Sequence, residues 1–273
     1  MTLISADRRD AGVKSLNKVL SILQCFSTHE RTLSLAEVCA RTGYPKSTTH
    51  RLLAAMCSVG FLDHDRERTR YRLGLKLFEF GNVVLANMEL HREARQHVEA
   101  LSRMSGHLVH LAVFDGAQAI VIHRCDPAPG GTPQLTHTEA APVHCTGVGK
   151  AILAFQPPAV IDRVIGRGLA RHTERTLTAP ERLRAELAVT RERGFAIDDG
   201  EHQPALRCVG APLHDAAGRV FAAISASGPA RKLAAADLPA LAELVTHHAR
   251  NISAALGYRP GAAEGQPMHE GVT

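Results

Sequence analysis

Ser34, Gly43, Pro45 and Gly60 punctuate one short stretch so tightly that few folds remain open to it. Ser34 precedes L-A-E-V-C-A-R with Glu37 three residues on, a hydroxyl and a carboxylate spaced to cap a helix start reciprocally. Gly43 ends that helix, and Pro45 presets the backbone for the next. In the next, Leu52, Leu53, Met56 and Val59 recur at helical spacing and are expected to face inward until Gly60. Two short helices joined by a tight turn make a helix-turn-helix over about 34–53. Upstream, Val13, Leu16, Val19, Leu20, Leu23 and Phe26 predict a longer helix with a single apolar stripe. Downstream, F-L-D-H-D and R-Y-R-L-G around R-E-R-T predict a two-stranded wing with a charged tip.

Charge follows the same division. The net charge is +5, and residues 1–80 hold 13 Lys/Arg against 8 Asp/Glu while residues 81–273 hold 19 against 19. The excess therefore belongs to the helix-turn-helix segment, which points to a polyanion partner. In that motif the N-terminal end of the second helix reaches base edges. Lys46, Ser47, Thr48, Thr49, His50 and Arg51 are the expected DNA-binding positions there, with Arg68 and Arg70 serving the wing on phosphates. No apolar run approaches the roughly 20 residues of a membrane span, and the N-terminus lacks a signal-peptide core, so a cytoplasmic location and no membrane partner are expected. Six scattered cysteines without a C-x-x-C pair suit free thiols.

Beyond the wing the texture changes. Residues 75–105 predict a connecting helix, broken near Gly81, and H-L-V-H-L-A-V-F-D-G-A-Q-A-I-V-I-H-R predicts a hairpin turning at Asp115-Gly116. P-A-P-G-G-T-P (127–133) reads as a loop, 180–193 as a surface helix, 238–256 as a closing helix, and the tail after Gly257 as disordered. This is an α+β mixture.

A strand over V-F-A-A-I-S-A-S-G-P places Ser225 and Ser227 on one side, beside an equally apolar second side. If D-A-A-G (215–218) is a four-residue hairpin loop, Cys208 lies opposite Ser225 and Leu206 opposite Ser227, so a thiol and two hydroxyls share a face. A slip of one residue would turn one set away. Asp198, closing F-A-I-D, reaches the same patch. C-T-G-V-G-K-A-I-L-A places Gly147 and Val148 at a helix start, whose free N–H groups suit a carboxylate. Together these predict a small polar pocket for an anion.

These motifs carry a resemblance. V-K-S-L-N-K-V-L-S-I-L, S-L-A-E-V-C-A-R-T-G-Y-P-K-S-T-T-H-R-L-L and Y-R-L-G resemble the winged helix-turn-helix of the IclR family of bacterial transcriptional regulators. The similarity continues through T-G-V-G-K-A-I-L-A, R-E-R-G-F-A-I-D-D-G-E, L-R-C-V-G-A-P-L and A-I-S-A-S-G-P, covering about residues 12–257. The resemblance implies a winged DNA-binding domain (12–74), a connecting helix (75–105), an effector-binding domain with a GAF-like antiparallel sheet (106–257) and a disordered tail (258–273). It implies a homodimer or dimer of dimers on a pseudo-palindromic double-stranded DNA operator. D-D-G-E-H, R-C and I-S-A-S-G are similar to glyoxylate- and pyruvate-responsive members, whose effector lies near positions matching Gly147, Val148, Asp198, Cys208, Ser225 and Ser227. That makes a small carboxylate, a 2-oxo acid such as glyoxylate, the expected effector. Regulation of aromatic or sugar-acid catabolism by another effector is the alternative.

Other chemistries fit these motifs less well. A cysteine or serine hydrolase would need a nucleophile elbow or a histidine placed beside Cys208 by spacing, and neither is present. His107 with His110, His137 with His144, and His247 with His248 lack a companion cysteine or carboxylate cluster at ligand spacing, so no metal and no cofactor are expected. An interaction module without DNA binding would show a flat salt response instead of a steep one.

Overall fold

A computed structural model describes residues 6–27, 30–65, 67, 69–127 and 140–260. The chain divides into two compact units, Met1–Asn87 and Met88–Thr273. Among the described residues no helix is long and apolar enough to cross a membrane.

The first unit holds α1 (Ala6–Leu23), α2 (Leu35–Thr42), α3 (Lys46–Ser58), the wing strands β1 (Leu62–His64) and β2 (Tyr71–Leu73), and α4 (Leu75–Asn87). Both halves of the capping box at α2 form: Glu37 N–H donates to Ser34 Oγ, and Ser34 N–H to the Glu37 carboxylate at 2.6 Å. Gly43 adopts the left-handed φ of +69° that ends α2. The core gathers Ile22, Phe26, Leu33, Val38, Leu53, Met56, Leu62 and Tyr71. Two sequence expectations change here. The α1 stripe is narrower than drawn, because Ile22 is buried while Leu16 and Leu20 lie on an open side of the helix. Val59 also points outward, since it sits at the frayed C-terminal cap of α3.

α4 runs through Gly81 without a break, and the helical path is interrupted instead at Met88, whose extended backbone caps α5 (Glu89–Ser105). The second unit then adds β3 (Leu108–Phe114), β4 (Ala119–Cys125), β5 (Ala140–Ala141), α6 (Gly147–Leu153), α7 (Pro158–Gly166), α8 (Pro180–Arg193), β6 (Ala196–Asp199), β7 (Leu206–His214), β8 (Val220–Pro229) and α9 (Leu238–Ala255). Its strands form one antiparallel sheet in the order β5-β4-β3-β8-β7-β6, giving the α+β class expected from the sequence. The hairpin turns at Asp115, whose Oδ1 accepts from the N–H groups of Ala117 and Gln118. One face of the sheet meets α6, α7 and α8 through small residues, Ala112, Ala119 and Ala223. Val209, Ala211, Ile224 and Ala226 point to the other face, where α5 and α9 pack.

The β7–β8 register differs from the one the loop length predicts. A bulge between Leu213 and His214 pairs His214 with Val220, so Cys208 lies opposite Ser227, Gly210 opposite Ser225 and Leu206 opposite Pro229. The offset is two residues, which preserves the face on which the thiol and hydroxyls point. Tyr258, which the sequence assigns to the tail, packs on the fold: it stacks on His214 at 4.4 Å and its N–H donates to Ser253 O. The 127–133 loop, save its first residue, and the tail beyond 260 lie outside the described residues.

Candidate functional site

In the first unit, α3 presents Lys46, Ser47, His50 and Arg51 exposed and Thr48 half-exposed. Thr49 is fully buried and its Oγ1 donates to Pro45 O at 3.2 Å, so it locks the helix start and is not available to DNA. Arg70 is half-exposed but already engaged. Its guanidinium pairs with Glu37 at 2.8 Å and donates to Thr32, tying the wing to α2. The Ser34 and Arg70 hydrogen bonds hold the Glu37 carboxyl down at about 2. Arg68 lies outside the described residues.

In the second unit, the sheet face toward α6 carries two adjacent cross-strand rows. One runs Asp198–Cys208–Ser227–Leu108, the other Gly210–Ser225–His110–Arg124. Above them sits the start of α6, which approaches because two glycines meet there. A Cβ on Gly210 would fall 2.4 Å from Gly147 O, and one on Gly147 would fall 2.5 Å from Cys208 Sγ. Between helix and sheet lies a cavity of about 200 Å³. It is lined by Gly147, Val148, Asp198, Cys208, Ser225 and Ser227, all six positions read from the sequence.

The lining groups differ in what they leave free for a ligand. The Cys208 thiol sits against Ser225 and the Gly147 N–H, but burial outweighs both and pushes it up to about 12, so it is a neutral thiol. Ser227 Oγ donates to Leu108 O at 3.3 Å and keeps its lone pairs. The N–H of Gly149 is taken by Thr146 Oγ1, whereas that of Val148, in the first turn, has no acceptor within the helix. Asp198 Oδ1 accepts from Glu201 N–H at 2.7 Å, closing the D-D-G-E turn, and burial raises Asp198 to about 6.

Behind the cavity, fully buried Lys150 is paired with Glu201 and lies 3.4 Å from Glu186. Burial raises Glu201 to about 7 while Lys150 pulls it back.

Sequence reasoning missed the cavity's cation. Arg124 lines it. Its cross-strand partner His110 is pushed down to about 4 by burial and by Arg124 itself, leaving a neutral imidazole. Simple alternation sets Arg124 and Val121 on opposite faces, yet both line the cavity. A bulge explains this: Leu111 pairs with His123 and Ala112 with Val121, so Ile122 is the extra residue. The only signal in the sequence was an arginine ending an otherwise apolar run, A-I-V-I-H-R-C.

A second cluster lies beside this cavity. His144, Cys145 and His172 bring three metal-type ligand atoms within 4.8 Å of one another. The sequence pairing of His144 with His137 gave no hint of this. His137 lies outside the described residues, and His172 arrives from a distant loop.

Comparison with known proteins bears on both units. A family profile described as the IclR helix-turn-helix domain matches residues 15–66, and one described as the bacterial transcriptional regulator IclR C-terminal matches residues 82–254. The chain is 31% identical over 247 residues to the HTH-type transcriptional regulator XynR of Escherichia coli, covering 90% of this chain and 98% of that one. It is 32% identical over 253 residues to KdgR of the same organism, covering 92% and 96%. Among solved structures it is similar to an IclR homologue from Microbacterium hydrocarbonoxydans complexed with 4-hydroxybenzoate, with a TM-score of 0.74, 26% identity and coverage of 89% and 98%.

Proposed function

Because the chain belongs to the IclR family of bacterial transcriptional regulators, and so is a DNA-binding regulator, we propose that its operator affinity is set by a small carboxylate held in the cavity under α6. The observation that carries this reading is the convergence of Asp198, Cys208, Ser225 and Ser227 with the Gly147–Val148 helix start on one cavity of about 200 Å³. That is room for a small organic acid. Hydrated glyoxylate is the preferred occupant. Its two hydroxyls match Asp198 and the serine oxygens, and its carboxylate matches the open N–H of Val148.

A second reading is favoured by Arg124. Four strand intervals of about 4.8 Å separate β4 from β6, so an acid engaging both Arg124 and Asp198 is longer than a two-carbon acid. A hydroxylated aromatic acid meets that description, and the 4-hydroxybenzoate complex of the Microbacterium homologue supports it.

The reading unit is α3 with Lys46, Ser47, Thr48, His50 and Arg51, working as a homodimer or dimer of dimers on a pseudo-palindromic site. Leu75, Phe78, Val83 and Val84 on α4 are exposed in the single chain, which supports self-association. An effector alters DNA affinity only by binding one arrangement of the paired reading units better than another. Calorimetric titration with glyoxylate and with 4-hydroxybenzoate, paired with a mobility shift on the promoter beside the gene, tests the proposal. Heat from glyoxylate and a shifted operator affinity support the first reading. Heat from the aromatic acid alone transfers it to the second, and silence from both removes the cavity as the sensor for these acids.

A further inference from the structure

We propose that His144, Cys145 and His172 form a binding site for a borderline divalent metal ion of the zinc kind. Their ligand atoms lie within 4.8 Å of one another, and two imidazoles with one thiolate are the donor set such an ion prefers over hard cations.

The surroundings are built for it. His144 is buried, and its Nε2–H donates to Ala170 O at 3.0 Å, so Nδ1 carries the lone pair. Metal-bound histidines are oriented by this same kind of bond from the second ring nitrogen. Burial also lowers the His144 pKa, which favours the neutral, ligating form. His172 is exposed, but its loop is anchored: Thr176 Oγ1 accepts from His172 N–H at 3.0 Å and donates to Glu201 O at 2.7 Å, and Thr173 Oγ1 donates to Gly200 O at 2.7 Å.

Cys145 is fully buried, and burial together with the nearby carboxylates of Asp198 and Glu201 raises its thiol to about 12. Without a cation the thiol keeps its proton. As the metal–sulfur bond forms, the thiol proton leaves to solvent. Three protein ligands leave a fourth position of the tetrahedron open. The His202 ring, which lines the cavity under α6, packs on His172 at 5.1 Å.

Cobalt(II) titration of the full-length protein tests the site. One equivalent is expected to produce a thiolate-to-cobalt charge-transfer band in the near ultraviolet, displaced by zinc. Cys145→Ser is expected to abolish the band, Cys208→Ser to keep it, and His172→Ala to weaken cobalt binding by about tenfold or more. Absence of the band in the wild-type protein, or its survival in Cys145→Ser, overturns the proposal. Should Cys145→Ser fail to fold, exposed His172 carries the test, and unchanged cobalt affinity in His172→Ala overturns it equally.

Discussion

Gly210 and Gly147 let a helix rest on a sheet with backbone touching backbone, and the cavity depends on that contact. For Gly210→Ala the obstructing atom is a carbonyl oxygen at 2.4 Å, which no rotamer change can move aside. The expected loss is about 1–3 kcal/mol, read from the urea midpoint, together with loss of effector binding. Lys150 is a second such residue. Lys150→Met leaves the Glu201 carboxylate buried without its cation, and removing one partner of a buried pair costs about 3–5 kcal/mol. Chemical denaturation at neutral pH measures it. Asp198 and Glu201 titrate at about 6 and about 7 in the folded chain, above their unfolded values. Their contribution to stability is full below about pH 4 and disappears as pH rises through 6 to 7. Neutralised Asp198 also ceases to repel an anion, so carboxylate affinity is expected to rise between pH 8 and 6. In Asp198→Asn that slope should flatten, and an unchanged calorimetric pH profile contradicts the role given to Asp198.

At the scale of elements, one carboxylate serves both the start of α2 and its tie to the wing. Glu37 closes the capping box and pairs with Arg70, and its depressed pKa makes this contribution present above about pH 4.5 and lost as pH falls toward 2. Glu37→Gln is expected to lower the melting temperature at pH 7 and to reduce the acid sensitivity between those values, followed by circular dichroism. This element was legible from Ser34 and Glu37 alone, because capping is local chemistry. Thr49 was misread, and Arg70 read incompletely, for the complementary reason. Each looks like a solvent-side polar residue in sequence, and only the packed helix and wing show that Thr49 is buried and that Arg70 is already paired with Glu37. The cavity wall was legible because strand parity survives a two-residue register error. Arg124 was not, because one bulge at Ile122 reverses parity along β4, and nothing in A-I-V-I-H-R-C marks a bulge.

For the whole molecule, the basic excess of the first 80 residues predicts that operator binding weakens steeply with salt, with a log–log slope of about −0.9 for each phosphate contacted. Arg51→Ala should reduce operator affinity while leaving the melting temperature unchanged, whereas Thr49→Ala should lower the melting temperature. Fluorescence anisotropy on labelled operator and thermal melts separate the two. Behind that contrast lies the arrangement of α3, where Lys46, Ser47, His50 and Arg51 stand clear of the fold that Thr49 anchors. If α3 reads the operator as proposed, promoter address and structural integrity are written in different letters of the same helix. A duplicated copy of this gene can drift toward a new target sequence, one exposed side chain at a time, while its core and its sensor go on inheriting the same shape.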